Sequence, residues 1–219
     1  KIKRLIFLAD NLHQFCTVKK DKKYLLLLIA KIDLIFTITT EYPLLKGYIG
    51  AYYSLYNDIP VEISFSLLKQ YNFSYFKSNV PKSLFGTLLS LTDNIDDIVS
   101  FLSIKKVQGK KGDLFALKKC TQKIIQIIIK NKLNINLLEL IALAISSQQK
   151  FTTNIIYFLY YIFEFITKRV VKILKEFCLS FYFIEQIIEI STFKAFPYTI
   201  YRQTTGSNVF IKIYDNYSL

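Results

Sequence analysis

Apolar side chains return every three or four positions over most of this chain, the spacing of one buried face of an α-helix. Over residues 2–16 the stripe is Ile2, Leu5, Ile6, Leu8, Leu12 and Phe15. Asp21 stands where it would cap a second helix, predicted to run to about Thr40, and Pro43 ends or breaks it. A third helix is predicted over 44–56. Its small residues Gly47, Gly50 and Ala51 lie on neighbouring turns and would let another helix approach closely. Glycine costs a helix about 1 kcal/mol relative to alanine, so two in one helix imply either a packing reason or a helix end.

Pro60 suits the first turn of a short helix ending near Tyr71, and Pro81 the first turn of a longer one. On the longer helix Leu84, Phe85, Leu88, Leu91, Ile95, Ile98 and Leu102 would face inward. Asp113 is placed to cap a helix ending at Lys130, and Asn136 with Glu139 forms an Asn-x-x-Glu start similar to a capping box. Further helices are predicted over 154–177 and 181–194. Residues 197–219 depart from the pattern: Gly206, Ser207 and Asn208 read as a turn, and 209–214 as a short strand or a frayed tail. No internal repeat or long linker interrupts the series. The expectation is one all-α, multi-helix domain over 1–196 followed by an irregular segment over 197–219. Six glycines and four prolines agree, being too few for a turn-rich β protein.

Charge narrows the partners. Twenty-nine lysines and arginines against 16 acids give +13, which favours RNA first and an anionic membrane surface second. Lysine, isoleucine, asparagine, phenylalanine and tyrosine are all abundant and all have AT-rich codons, so an AT-rich genome would raise the lysine count without any partner. The densest basic stretch is 105–132, with Lys105, Lys106, Lys110, Lys111, Lys118, Lys119, Lys123, Lys130 and Lys132 against a single acid, Asp113. Lys119 and Lys123 are one helical turn apart, and such a stretch could neutralise RNA phosphates or simply face water.

Other chemistry is thin. Cys16, Cys120 and Cys178 are odd in number and far apart, which fits a reducing cytoplasm rather than a disulfide framework. His13 is the one histidine, and nothing in the sequence brings it to a cysteine. The segment 109–113, GKKGD, lacks the spacing of a phosphate-binding loop. The apolar run 155–166 spans 12 residues and contains Glu164, short of the roughly 20 that a membrane span requires, so a buried helix is expected. The chain does not start with methionine, as expected of an internal fragment or a processed piece.

One block is more specific. Lys31, Asp33 and Leu34 lead into Glu41, Tyr42, Pro43 and Leu45, then Gly47 and Gly50, then Tyr52 and Tyr53. This resembles the signature block of the bacterial glycyl-tRNA synthetase beta subunit. Two further blocks follow in the family's order. Residues 92–96, with Asp93 and Asp96, resemble its Ala-Asp-Lys-Leu-Asp segment, and 113–119 resemble its Asp-Pro-Phe-Ala-Leu-Arg-Arg block. The resemblance is densest over 25–140. Leu114 stands where the family has proline, one extra residue separates Gly109 from Asp113, and Lys118-Lys119 replaces an arginine pair. A lysine pair keeps phosphate neutralisation but weakens any bidentate ion pair.

The resemblance implies a helical bundle like that of HD-type phosphohydrolases, acting as part of a glycine-tRNA ligase beta subunit. That metal chemistry needs several histidine and aspartate ligands, and one histidine cannot supply them. The implied chain has no catalytic residue, metal or cofactor of its own, with ATP and magnesium used at the alpha subunit. Its implied partners are the alpha subunit and tRNA(Gly) in a cytoplasmic heterotetramer, with no membrane. Anticodon readout would lie outside these residues. The competing expectations are a basic helical RNA-binding protein without enzymatic context, a membrane-associated helical protein, and a degenerate phosphohydrolase.

Overall fold

The computed structural model describes residues 1–12, 17–71, 80–104, 111–148, 155–176 and 197. These residues are all-α, with no strand among them. The helices are α1 (Ile2–Asn11), α2 (Lys20–Leu28), α3 (Ile38–Glu41), α4 (Tyr48–Tyr56), α5 (Val61–Tyr71), α6 (Leu84–Ile104), α7 (Lys111–Lys130), α8 (Leu137–Ser146) and α9 (Ile155–Glu176). Two 3-10 turns, Ile32–Ile35 and Pro43–Leu45, flank α3. The predicted helix 181–194 and the segment around 206–214 lie outside the described residues.

The centre of the molecule is α6. Leu88, Leu91, Ile95, Ile98 and Leu102 are buried, as the heptad-like spacing predicts, and so are Leu89 and Val99 on the other side. A helix apolar on more than one face must be surrounded, and α1, α2, α5, α7 and α8 all pack on it. Two of its buried polar side chains bond back into the helix, Thr92 Oγ1 donating to the Leu88 carbonyl at 2.9 Å and Asn94 Nδ2 to that of Ser90 at 2.6 Å, while the buried Ser90 Oγ has no partner among the described residues. Leu84 is exposed at the first residue of the helix. Pro81 lies outside the helix. Ser83 caps it instead, its Oγ accepting from Gly86 N at 3.1 Å, while the Pro81 carbonyl accepts from Thr87 Oγ1 and Asn131 Nδ2.

Other ends follow local chemistry. Asn136 caps α8 as its spacing predicts, with Oδ1 accepting from Leu138 N at 3.0 Å and Glu139 N at 3.5 Å. Asp21 lies in the first turn of α2 after Lys19 as the boundary residue, where its charge complements the helix dipole without capping. Pro60 precedes α5, offering its carbonyl to Ile63 N and Ser64 N. Helix α7 starts at Lys111, so Asp113 falls inside its first turn. On α9, Phe158, Ile162, Ile166, Val170 and Ile173 form the buried stripe against α7 and α8, while Tyr157, Tyr160 and Tyr161 are exposed. No helix among the described residues is long and apolar enough to cross a membrane.

The largest departure from expectation is the second helix. It stops at Leu28, and 29–47 becomes a series of short turns. The short turns bring Asp33, 2% exposed, to the Tyr71 hydroxyl and Gly47 N, which donate to its carboxylate. The third helix likewise starts late. Gly47 precedes it with φ +83, a conformation that favours glycine, and a Cβ there would meet the Leu67 carbonyl oxygen at 3.0 Å and Tyr71 Cδ2 at 3.1 Å. Gly50 lies within α4 over Asp33 and Ile32, so both glycines do allow a close approach of α4 to α5.

Two outcomes are expected in urea denaturation. Ile95→Ala, at a fully buried α6 position, should cost about 2–5 kcal/mol. Gly47→Ala should cost about 2–3 kcal/mol through its backbone conformation alone, whereas a shift under about 0.5 kcal/mol would show that the turn relaxes freely.

Candidate functional site

The turns after α2 carry Lys31 and Asp33 to the face of α6 that presents Asp93, Asp96 and Asp97. These acids are three and four residues apart, so they share one helical face. Lys31 Nζ lies 2.7 Å from Asp93 Oδ2, and Gln70 Nε2 from α5 donates to the same oxygen at 2.6 Å. Lys1 Nζ faces Asp93 Oδ1 at 2.8 Å and also pairs with Asp97. One turn further along α1, Arg4 holds Asp96 with two bonds, Nε to Oδ1 at 2.6 Å and Nη2 to Oδ2 at 3.1 Å. Three acids therefore meet three cations, and the helices they join are α1, α6 and the turn at 32–35.

A second layer orients the first. Lys31 Nζ also reaches the Tyr71 hydroxyl at 3.4 Å and lies 5.2 Å from the centre of that ring. The Tyr71 hydroxyl donates to Asp33 Oδ1, and Gly47 N donates to Asp33 Oδ2, both at 3.4 Å. Thr39 Oγ1 donates to the Asp33 carbonyl at 2.7 Å. Asp33 thus pins the two turns and the start of α4 to α5. Behind it, Phe36 stacks on Tyr53 with ring centres 4.5 Å apart, and Tyr53 meets Tyr52 edge to face.

Electrostatics follow from this geometry. Burial alone would push the Asp93 carboxyl up, but Lys31 and Lys1 outweigh it and hold it below its ordinary value of 3.8. Asp97 moves the other way, raised by burial and by the neighbouring Asp93 charge. Lys1 is lowered by burial but raised on balance by Asp93 and Asp97, and Arg4 is raised by its bond to Asp96. Burial pushes the Cys120 thiol up to about 11, with Asp97 adding to it, so little thiolate is present near neutral pH. Cys16, Cys178 and His13 lie outside the described residues. Among those described, no three His, Cys, Asp or Glu side chains are grouped to hold a metal ion. The acids of α6 have lysine and arginine for company.

The basic stretch is placed only in part. Lys105, Lys106 and Lys110 lie outside the described residues, as do the side chains of Lys111 and Asp113. On α7, Lys119 is exposed and Lys118 half-buried. Lys123 is also half-buried and leans toward the acid cluster. Burial lowers its ammonium below the ordinary value, partly offset by Cys120, Asp93 and Asp97. Of the remaining block residues, Glu41 and Pro43 are exposed on the turns, as are Tyr52 and Tyr53 on α4. Lys1, Arg4, Gln70 and Tyr71 are members of the cluster that the sequence pattern does not reveal. The one available signal is that Lys1 and Arg4 are a turn apart on the polar side of α1.

These features define a basic, all-helical domain built round a neutralised charge centre, in which sequence blocks 31–53 and 92–96 meet. Residues 1–189 match the family model of the glycyl-tRNA synthetase beta subunit, and the chain belongs to that family. It is 33% identical over 118 residues to the glycine-tRNA ligase beta subunit of Rickettsia prowazekii, covering 54% of this chain and 18% of that protein. To the corresponding subunit of Buchnera aphidicola subsp. Schizaphis graminum it is 30% identical over 146 residues, 66% of this chain and 21% of the other. To that of Halothermothrix orenii it is 30% identical over 144 residues, 64% and 21%. The chain spans about a fifth of the length of these curated relatives.

A carboxylate held below 3.8 in the fold stabilises above that value and loses this contribution as pH falls through its folded value. Asp97, raised, opposes folding when ionised and relieves the fold once protonated. Asp93→Asn is therefore expected to lose about 2–4 kcal/mol near pH 7 and to show a shallower decline than the parent below about pH 4. Urea midpoints measured against pH check this, and parallel curves for the two proteins would contradict the assignment.

Proposed function

We propose that this chain is the helical, tRNA-supporting part of a glycine-tRNA ligase beta subunit. It acts beside an alpha subunit that binds ATP and magnesium and activates glycine. The observation that carries this reading is the meeting of Lys31 and Asp93, since each belongs to a separate block shared with the family and the two form one structural centre. In this reading the catalytic groups belong to the alpha subunit; among the described residues, Asp93, Asp96 and Asp97 are engaged by Lys1, Lys31 and Arg4. It works in a cytoplasmic heterotetramer of two alpha and two beta chains. Lys118 and Lys119, with Lys105, Lys106, Lys110, Lys111 and Lys123, supply charge for tRNA phosphates. The domain adopts the HD-like arrangement.

Co-purification with the alpha subunit of the same organism, followed by glycine charging of total tRNA, tests the proposal. A stable complex that charges tRNA, where alpha alone does not, is the expected result. The double variant Lys118→Glu/Lys119→Glu should weaken tRNA binding roughly tenfold at low salt and flatten its salt dependence. Absence of any complex would overturn the assembly role, and unchanged tRNA affinity in the double variant would remove those two lysines from the contact.

A further inference from the structure

Helix α4 carries Tyr48, Tyr52 and Tyr56 at intervals of four residues, one turn apart along a single face. All three are exposed, at 52%, 64% and 77%, and Tyr42 just upstream is exposed as well. The helix contains no charged residue. Tyr52 is braced from behind: it meets Tyr53 edge to face at 5.6 Å, and Tyr53 stacks on Phe36. A braced ring loses little further freedom when something stacks on it.

Beside the start of α4 lies an open cleft of about 730 Å³, lined by Lys1, Ile2, Lys3, Lys31, Leu34, Lys46 and Tyr71. No acid is among the described residues that line it, and Asp93 and Asp97 engage Lys1 and Lys31. Lys3 and Lys46 form no ion pair among the described residues. Lys46 on the cleft wall is two residues before Tyr48, the first residue of α4.

We propose that the cleft and the α4 tyrosines together bind an unpaired RNA segment, with phosphates on Lys3 and Lys46 and bases stacked on Tyr48, Tyr52 and Tyr56. The ligand must be single-stranded, because the base faces of a duplex are hidden in its own stack and are closed to aromatic side chains. Charge decides between RNA and a protein surface. An exposed tyrosine face alone would suit either, but a cleft whose wall carries Lys3 and Lys46, neither paired with an acid among the described residues, favours a polyanion. The inference rests on the tRNA-ligase reading for the identity of the RNA.

The test uses the full chain and fluorescence anisotropy with two probes, a short oligouridylate and a duplex RNA of the same length. Tyr52→Ala and Tyr56→Ala should each weaken oligouridylate binding roughly tenfold, while Tyr52→Phe, which keeps the ring, should stay within about twofold. Lys46→Glu should weaken both probes. Circular dichroism of each variant, compared with the parent, verifies that α4 is intact. Alanine variants that bind oligouridylate like the parent would overturn the site, as would equal affinity of the parent for both probes. Loss of alpha-subunit co-purification in the tyrosine variants with oligouridylate binding unchanged would also overturn it, assigning the face to protein docking. If the parent complex charges tRNA while the tyrosine variants bind normally, only this site fails. If the parent neither joins alpha nor binds RNA, the ligase reading fails with it.

Discussion

The structure depends on one buried carboxylate. Asp93 sits on the central helix, where its charge could not survive unpaired, and two lysines from distant parts of the chain converge on it. Lys31 comes 62 residues before it in sequence. To deliver that lysine the chain must leave helix α2 early and turn. The turn buries Asp33, Asp33 in turn draws in Gly47 N and the Tyr71 hydroxyl, and Gly47 must take a positive φ to comply. The short elements between 29 and 47 are thus a consequence of satisfying charge at α6.

This is also where sequence periodicity and structure part. The apolar repeat from 21 to 40 is real, but it measures only local amphipathicity. It cannot register that Asp33 has partners 14 and 38 residues further on. Elsewhere local signals suffice. The stripe of α9 and the inward face of α6 are legible because burial there follows the helical period, and the Asn136 cap because its partners are two and three residues away. Proline was a weaker guide: Pro60 and Pro81 mark the approach to their helices rather than the first turn.

The candidate site shows the same division. Lys31, Asp33, Gly47, Asp93 and Asp96 stand out in sequence as members of shared blocks, and the fold gives those blocks a physical reason to occur together. Lys1, Arg4, Gln70 and Tyr71 complete the cluster but belong to no readable pattern, since a lysine or glutamine on a polar helix face looks alike whether it meets water or a buried acid. The same cluster arranges charge for function. Asp93 and Asp96 are buried beneath their partners, Asp97 stays partly exposed beside Lys1, and lysines stand on the described wall of the adjoining cleft.

The most direct test of this picture is a double-mutant cycle between Lys31→Met and Asp93→Asn, read as unfolding free energy at neutral pH. Contacting charges in one network are expected to couple by about 1–3 kcal/mol, with the double variant less damaged than the sum of the singles. Effects that add within about 0.5 kcal/mol would contradict it, and would mean that the two sequence blocks meet without depending on each other.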